Sequence, residues 1–279
     1  MLVNLNDIMK LVEAKKCAVG TFNGPNFESI KAVINAAEEL NQPVVLTHAQ
    51  LHEEWGLCKI EEIGPLMLFM ADRAKVPVCV HLDHGTDLDY VKKSLDIGFT
   101  SVMFDGSHIS LEENAANTCI VVDMASKFGA SVEAEVGSMG ARDMGKGDGG
   151  EGGMYTDPEV AKWFAEETGV DALACAFGTV HGLYTKEPKL DFDRIRKIKS
   201  LIDIPIVMHG GSGVSDEDYK KVIDAGVRKI NYYTYMGKAG SKGVEELKDK
   251  TYFHSIALAA ELSMKEDVKK AIKTFALLD

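Results

Sequence analysis

The sequence predicts an α/β fold, a single closed (β/α)8 TIM barrel with its active site at the C-terminal ends of the strands. Two observations predict it. Eight short apolar runs alternate with helical patterns, and the length of 279 residues suits one barrel of about 250 residues. There is no linker, so residues 1–279 are expected to form one domain. An open, doubly wound sheet of eight strands is the alternative.

The strands are predicted from short β-branched or apolar runs, the pattern of parallel strands that are covered on both faces. The eight runs are Cys17–Thr21, Pro43–Thr47, Val78–Leu82, Ser101–Phe104, Ser131–Glu135, Ala172–Ala176, Pro205–Met208 and Lys229–Asn231.

The helices are predicted from apolar residues that recur about every 3.6 positions. They cover Phe27–Leu40, Ile60–Ala74, Leu88–Ile97, Leu111–Phe128, Pro158–Thr168, Phe192–Leu201 and Asp216–Ala225, and Ser255–Leu278 is predicted as one or two more helices. Asp157 before a proline and Ser215 before three acids predict two helix N-termini.

The composition argues against nucleic-acid and membrane partners. The formal net charge is −12 and no large basic patch is present. No apolar run approaches about 18 residues, and the N-terminus has no signal-peptide pattern. The five cysteines are odd in number and lack a C-x-x-C motif, so we expect a cytoplasmic protein without a disulfide framework.

Three histidines follow predicted strands. His84 follows the third strand, His181 the sixth and His209 the seventh. Because the C-terminal strand ends meet at one face of a barrel, these side chains can converge. Three imidazoles with an open fourth position make a catalytic zinc site, which polarises a carbonyl group. A single histidine is more often an ordinary strand-end residue, but three at three strand ends favour metal binding.

Acidic residues accompany these histidines. Asp83 directly precedes His84 and is predicted as an acid/base group. Glu133 and Glu135 have the same parity on the fifth strand, so both are expected to point into the barrel. Carboxylates there must be paired or bound to metal. Salt bridges to lysines are the alternative for this pair.

The other five histidines are predicted outside the ligand set. His81 lies inside the third strand, where it can pack in the core or support the site, and His48 ends the second strand near the rim. His52, His108 and His254 are expected to be ordinary surface or packing residues.

Segments that begin with glycine follow the fifth, sixth and seventh predicted strands. Gly137–Gly153 is predicted as a mobile lid, and Gly182–Pro188 as a second insertion. Gly210–Gly213 directly follows His209, and Asn231 and Thr234 follow the eighth strand. Barrels often bind phosphate with backbone N–H groups of the last two loops, so a phosphate site is expected there.

Together these segments resemble class II, zinc-dependent ketose-bisphosphate aldolases, which include fructose-bisphosphate and tagatose-bisphosphate aldolases. The resemblance covers nearly the whole chain, and the set of motifs is highly specific. It is carried by Gly20-Thr21-Phe22-Asn23, His81-Leu82-Asp83-His84-Gly85, Glu133-Ala134-Glu135-Val136-Gly137, Tyr155-Thr156-Asp157-Pro158, Gly178-Thr179-Val180-His181-Gly182 and His209-Gly210-Gly211-Ser212-Gly213.

The resemblance implies roles for individual residues. His84, His181 and His209 are expected to bind Zn²⁺, with Glu135 close to the metal at an alternative, more buried ion position. Asp83 is expected to remove the C4 hydroxyl proton during cleavage. Substrate or phosphate contacts are implied for Asn23, Gly182, Gly210, Gly211, Ser212, Asn231, Tyr233 and Thr234. A monovalent cation, Na⁺ or K⁺, near the phosphate and a homodimer or homotetramer are implied as well.

The expected reaction is the reversible cleavage of a phosphorylated ketose, similar to fructose bisphosphate, to dihydroxyacetone phosphate and an aldehyde. This is a lyase reaction of carbohydrate metabolism such as glycolysis. Such cleavage needs an electron sink, and a lysine Schiff base is the alternative to a metal. No lysine lies in Ala174–Phe177 at the end of the sixth strand, and Lys229 is predicted at the opposite end of the barrel.

Other functions remain open at this point. They are a tagatose-bisphosphate or other ketose-phosphate aldolase, a metal-dependent sugar-phosphate isomerase or epimerase, and a non-catalytic sugar-phosphate binder. An aldolase produces dihydroxyacetone phosphate, whereas an isomerase leaves the carbon chain intact.

Three positions depart from the family pattern. Asp143 is the nearest match to the family's loop glutamate, Ala49 replaces a serine or threonine, and Tyr233 replaces an aspartate that contacts substrate hydroxyls. The last arginine is Arg228, so a second phosphate would depend on lysines such as Lys242, Lys248 and Lys250. We therefore expect a substrate that differs from fructose 1,6-bisphosphate in its aldehyde half.

Overall fold

Eight parallel strands close into a barrel in the computed structural model, which describes residues 1–137, 155–182, 184 and 187–278. The last strand, Val227–Asn231, closes the barrel by pairing with the first barrel strand, Val19–Asn23. The predicted (β/α)8 barrel is confirmed, and the doubly wound alternative is wrong. After a short β1 (Leu2–Val3), the barrel strands are β2 (Val19–Asn23), β3 (Val44–Ala49), β4 (Val78–Gly85), β5 (Ser101–Phe104), β6 (Ser131–Val136), β7 (Ala172–Cys175), β8 (Ile206–Met208) and β9 (Val227–Asn231).

The helices surround this barrel. They are α1 (Leu5–Lys15), α2 (Phe27–Leu40), α3 (Gln50–Glu54), α4 (Ile60–Arg73), α5 (Leu88–Ile97), α6 (Leu111–Ser126), α7 (Pro158–Thr168), α8 (Phe192–Lys199), α9 (Asp216–Ala225), α10 (Thr234–Glu246) and α11 (Phe253–Phe275). The predicted N-caps are confirmed, because the side chains of Asp157 and Ser215 accept bonds from first-turn N–H groups. Four elements have no counterpart among the predicted ones, namely the strand β1 and the helices α1, α3 and α10.

The strands alternate between two packing environments, as the twofold side-chain period requires. On β4, the side chains of Val78, Val80 and Leu82 pack outward into the large cluster beneath the helices. Cys79 instead joins the inner cluster with Val45. Each strand is therefore buried on both faces, which explains why the strands are continuous apolar runs in the sequence.

Inside the barrel, the N-terminal end is apolar and helix α1 covers it. Leu5 and Ile8 of α1 belong to the same inner cluster as Cys79. Farther along the strands the interior becomes polar, and His81, Glu133 and Lys229 are fully buried there. The candidate site lies at this polar, C-terminal end.

Two further observations concern the whole described chain. Among the helices of the described ranges, none combines the length and apolarity needed to cross a membrane. All five cysteines carry free thiols, and Cys17, Cys79 and Cys175 are buried.

Candidate active site

Asp83 and His84 are neighbours on β4, yet both side chains reach the same site. In a regular strand, consecutive side chains point to opposite faces. His84 has φ +50°, in the left-handed region that non-glycine residues rarely adopt. The pairing of β4 with β5 also changes register between Leu82 and Gly85. This irregularity lets one strand end supply two functional groups, a typical place for an unusual backbone conformation.

The structure brings the three predicted histidine ligands together. One nitrogen from each of His84, His181 and His209 lies within 4.8 Å of the others. His209 Nδ1 is 3.0 Å from His84 Nε2. The His181 ring meets the other two edge to face, with centroids 5.0 Å from His84 and 5.9 Å from His209.

Carboxylates bind the far sides of two of these imidazoles. Asp105 Oδ2 is 2.6 Å from His84 Nδ1, and Glu133 Oε1 is 2.9 Å from His209 Nε2. Because an ionised carboxylate only accepts, these partners assign the N–H groups to His84 Nδ1 and His209 Nε2. The two facing nitrogens are then both lone-pair donors, which repel at 3.0 Å unless a cation lies between them. Metal-binding histidines are oriented by carboxylates in this way.

The charges around the histidines also favour a cation. Asp83, Asp105, Glu133 and Glu135 are all buried there, and Lys229 supplies one positive charge beside them. Burial, with the nearby charges of Glu133 and Asp83, raises the pKa of Glu135 to about 8. Its Oε2 lies 3.5 Å from His209 Nδ1 and has no hydrogen-bond partner among the described residues. The donor set of imidazoles and carboxylate fits a divalent ion such as zinc.

Asp83 is held by two amides. Asn23 Nδ2 donates to Asp83 Oδ2 at 3.2 Å, and Asn231 Nδ2 donates to Asp83 Oδ1 at 3.1 Å. Burial alone would raise the pKa of Asp83, but the electrostatic interactions with His84, His209 and Lys229 outweigh it and hold the pKa below its ordinary value. The carboxylate is therefore an ionised proton acceptor at the site.

A cavity of about 530 Å³ opens above Asp83, His84 and His181. This volume suits a small organic ligand. All eight residues predicted to contact substrate or phosphate line it: Asn23, Gly182, Gly210, Gly211, Ser212, Asn231, Tyr233 and Thr234. His209 and Glu135 lie deeper and are almost fully buried.

Two glycines of the β8–α9 loop are required by close packing of the backbone. Gly210 has φ +63°, and a Cβ atom there would lie 2.3 Å from the Val180 carbonyl oxygen. A Cβ on Gly211 would lie 2.7 Å from the Asn231 carbonyl oxygen, to which the Gly211 N–H donates. That N–H is thus engaged within the chain. The N-terminus of α10, at Thr234, offers first-turn N–H groups that have no partner within the helix.

The wall formed by α3 was not predicted. His52 is only 2% exposed, and its ring centroid lies 5.5 Å from that of Tyr233 and 6.1 Å from that of Trp55. All three residues line the cavity, so His52 packs as expected of an ordinary packing residue but does so at the wall of the candidate site. It lies there because α3 follows β3 without a loop and keeps His52 at the strand end.

Asp105 was also missed, although the sequence carries a signal for it. It directly follows β5, at the strand end where barrel enzymes keep functional residues, and the same position drew attention to Asp83.

The remaining histidines are not ligands in this arrangement. His48 and His81 are fully buried, whereas His108 and His254 are exposed.

Lys229 is not at the opposite end of the barrel, as the sequence suggested. It is the third of five residues in β9, and its Nζ lies 2.9 Å from Glu133 Oε2 and 2.8 Å from Asn231 Oδ1. The alternative of a salt bridge to lysine is therefore correct for Glu133.

Asp143, with most of the predicted lid Gly137–Gly153, lies outside the described residues.

This fold, with histidines and carboxylates that could hold a metal ion beside a cavity, is typical of barrel enzymes that act on small molecules. Comparison with known families is more specific. The model of class II fructose-bisphosphate aldolases matches residues 3–278, and the chain belongs to that family. The resemblance inferred from the motifs and the prediction of an aldolase-type lyase are both confirmed. The family is generally zinc-dependent and acts on small phosphorylated sugars.

Individual relatives cover almost the whole chain. A sulfofructosephosphate aldolase from Alkalicoccus urumqiensis is 39% identical over 263 residues, which are 92% of this chain and 90% of that protein. The crystal structure of the YdjI aldolase from Escherichia coli K12 matches with a TM-score of 0.88 and 34% identity, covering 99% of this chain and 97% of that one.

Proposed function

We propose that this chain is a zinc-dependent aldolase that reversibly cleaves a phosphorylated ketose to dihydroxyacetone phosphate and an aldehyde. The observation that carries this proposal is the convergence of His84, His181 and His209 beside Asp83 at one cavity. The three histidines would hold the ion, with Glu135 as the neighbouring carboxylate. Bound there, zinc supplies Lewis-acid polarisation of the substrate ketone.

Asp83 is the proposed base. Its ionised carboxylate lines the cavity and is oriented by Asn23 and Asn231. In cleavage it accepts the proton of the C4 hydroxyl while the C3–C4 bond breaks, so C4 leaves as an aldehyde. The bonding electron pair stays on C3. Protonation of C3 then converts the fragment that contains C1 to C3 into dihydroxyacetone phosphate. We propose Asp143 as the acid for that last proton transfer.

The phosphate of the ketose is proposed to bind between the β8–α9 loop and the start of α10. Ser212 and Thr234 line that part of the cavity, and the N-terminus of a helix favours an anion. The Na⁺ or K⁺ ion near this phosphate and the homodimer or homotetramer remain predictions from the family resemblance. Light scattering on the purified protein measures the oligomeric state.

The aldehyde half of the substrate is proposed to lie against His52, Trp55 and Tyr233. Burial lowers the pKa of His52 to about 4, so this wall is uncharged at neutral pH. Among the described residues that line the cavity, Lys238 is the single lysine or arginine. Lys242, discussed above as a candidate for a second phosphate, instead points outward and pairs with Glu246. A substrate with a phosphate at both ends is therefore poorly matched.

A substrate panel tests both parts of the proposal. Zinc-loaded protein is assayed with fructose and tagatose bisphosphates, ketose 1-phosphates and a sulfofructose phosphate, the compound in the name of the Alkalicoccus relative. Dihydroxyacetone phosphate is detected by a coupled reductase. If no ketose phosphate yields it, the proposed function is wrong. A kcat/KM for fructose bisphosphate above about 10⁴ M⁻¹s⁻¹ that no other substrate matches would refute the substrate preference alone.

A further inference from the structure

Lys229 is a fully buried lysine to which the proposed reaction gives no task. Its Nζ lies 2.9 Å from Glu133 Oε2, 3.3 Å from Glu133 Oε1 and 2.8 Å from Asn231 Oδ1. It is not among the described residues that line the cavity, so a role as a substrate ligand or Schiff base does not fit. Its contacts lead instead to two groups that do face the chemistry.

The first group is the amide of Asn231. An ammonium group only donates hydrogen bonds, so the atom that faces Lys229 must be the amide oxygen. The amide nitrogen then faces Asp83 Oδ1, 3.1 Å away. If the amide were rotated by 180°, its nitrogen would face the ammonium and its oxygen would face the carboxylate, and both contacts would be repulsive. The lysine thus selects one orientation of Asn231.

This orientation determines how Asp83 is held. With Asn231 donating to one carboxylate oxygen and Asn23 to the other, the rotation of the Asp83 carboxylate is restricted. Loss of one donor would leave the carboxylate free to rotate about its remaining bond. A displacement of about 1 Å at a reacting group can cost about 10²-fold in rate.

The second group is His209. Glu133 accepts from its Nε2 at 2.9 Å, while the same carboxylate is paired with Lys229. The ion pair keeps Glu133 an acceptor, so the imidazole keeps Nδ1 directed at His84. One ammonium group is therefore in contact with the supports of both the proposed base and a proposed metal ligand.

We propose that Lys229 is a positioning residue for carbon–carbon bond cleavage, acting through Asn231 on the Asp83 carboxylate. This inference rests on the proposed function, because it assigns Lys229 a role in the step that Asp83 performs. It predicts that loss of the lysine impairs the step at C4 more than the steps that depend on the metal and phosphate sites.

The test separates this role from simple charge balance. Lys229→Met alone leaves the buried Glu133 carboxylate without its positive counter-charge, with only the hydrogen bond from His209, and is expected to destabilise the fold. The double variant Lys229→Met/Glu133→Gln removes both charges, and the glutamine oxygen still accepts from His209. We expect this double variant to recover the melting temperature and zinc content of the wild type. Its kcat for ketose cleavage is expected to stay about 10- to 100-fold lower.

Proton exchange at C3 of dihydroxyacetone phosphate provides the second measurement. Exchange needs the metal and phosphate sites but does not involve the C4 hydroxyl. We expect Lys229→Met/Glu133→Gln to keep its exchange rate within about threefold of the wild type. Asn231→Ala alone is expected to slow cleavage about tenfold or more. Added to the double variant, the same substitution is expected to slow cleavage by less than about threefold, because the effects of residues that act in series are not additive.

Two further variants complete the experiment. Lys229→Gln/Glu133→Gln keeps an N–H donor toward Asn231, and we expect it to cleave about tenfold faster than the methionine double variant. Lys31→Met/Glu261→Gln removes another ion pair, which is 2.8 Å long, partly exposed and located between α2 and α11, and is expected to leave kcat unchanged.

Each opposite result overturns the proposal. Wild-type cleavage in the methionine double variant would mean that Lys229 only balances the charge of Glu133. Equal cleavage rates in the methionine and glutamine double variants, or a full additional effect of Asn231→Ala, would exclude action through Asn231. If both double variants lose proton exchange and cleavage together, Lys229 serves only the stability of the fold. If the wild type neither cleaves nor exchanges, the proposed function itself fails.

Discussion

Asp105 Oδ2 lies 2.6 Å from His84 Nδ1, on the side of the imidazole that faces away from His209. This contact assigns the proton of His84 to Nδ1 and makes Nε2 the lone-pair donor at the centre of the site. It also holds the ring of a residue whose backbone is in the left-handed region. Asp105 thus supports both the orientation and the basicity of the proposed ligand.

Replacing this carboxylate should weaken metal binding. We predict that Asp105→Asn lowers zinc affinity by about 10- to 100-fold, because the amide is a poorer acceptor and can also present its donor side. Competition with a chromophoric chelator measures the change. Asp123→Asn, an exposed position on α6, is the control and should bind zinc as the wild type does. Equal affinity in both variants would mean that Asp105 does not support a ligand.

Removing a ligand should abolish the site. We predict that the wild type holds about one zinc ion per chain and loses activity with a chelator. In His209→Ala the zinc content should fall close to zero, because one of three imidazoles is gone. Elemental analysis of the purified proteins measures this, and full occupancy in the variant would refute the assignment of His209.

Removing the proposed base should leave the metal in place. We predict that Asp83→Ala lowers kcat by about 10²- to 10⁴-fold, the usual effect of losing an acid or base. Zinc content and melting temperature distinguish this loss from misfolding. A nearly normal kcat would make Asp83 a structural residue.

The loop acid has its own test. We predict that Asp143→Ala slows turnover and, more specifically, proton exchange at C3 of dihydroxyacetone phosphate. The exchange is followed by NMR in deuterium oxide, and Asp83→Ala is the matched control, since that residue acts at C4. Unchanged exchange in Asp143→Ala would show that another residue moves the proton.

His52 should stay neutral over the physiological range. Burial lowers its pKa to about 4 from the ordinary value of 6.5. The unfolded chain therefore binds this proton at a higher pH than the folded chain does. Hence protonation of His52 does not reduce the free energy of unfolding above about pH 6.5, but it lowers this free energy as the pH falls from 6.5 toward 4.

NMR of the histidine side-chain nitrogens can measure this. We predict no protonation of His52 above about pH 5 in the folded protein, with the signal assigned by its loss in His52→Gln. The same residue in urea-unfolded protein should titrate near its ordinary value. A midpoint near 6.5 in the folded state would mean that the cavity wall carries charge.

Much of the architecture could be predicted because each barrel strand has two recognisable features in the sequence. The strand itself is an apolar run, and polar residues follow at its end. Ser101–Phe104 was predicted with the bounds that β5 has, and Leu88–Ile97 with those of α5. The same rule located His84, His181 and His209, whose proximity in the structure follows from strand ends meeting at one face.

The missed features depend on quantities that periodicity does not encode. The parity of Lys229 indicates that it points inward, but its depth depends on strand tilt and stagger, so its contact with Asn231 was not foreseen. His84 would point away from Asp83 in a regular strand, and only a local change in backbone conformation reverses this. The α3 wall has too few residues for a recognisable helical period.

The wall of His52, Trp55 and Tyr233 is built on a short helix and a connection outside the barrel strands, whereas Asp83 and Lys229 belong to the strands themselves. Under the proposed function, substitutions in the wall would therefore alter which aldehyde fits while the residues on the barrel strands stay in place. In evolutionary terms, such a division would let the choice of sugar change without loss of the groups on the barrel strands. For protein engineering, it identifies α3 as the segment to randomise first when a new carbon–carbon bond is to be made.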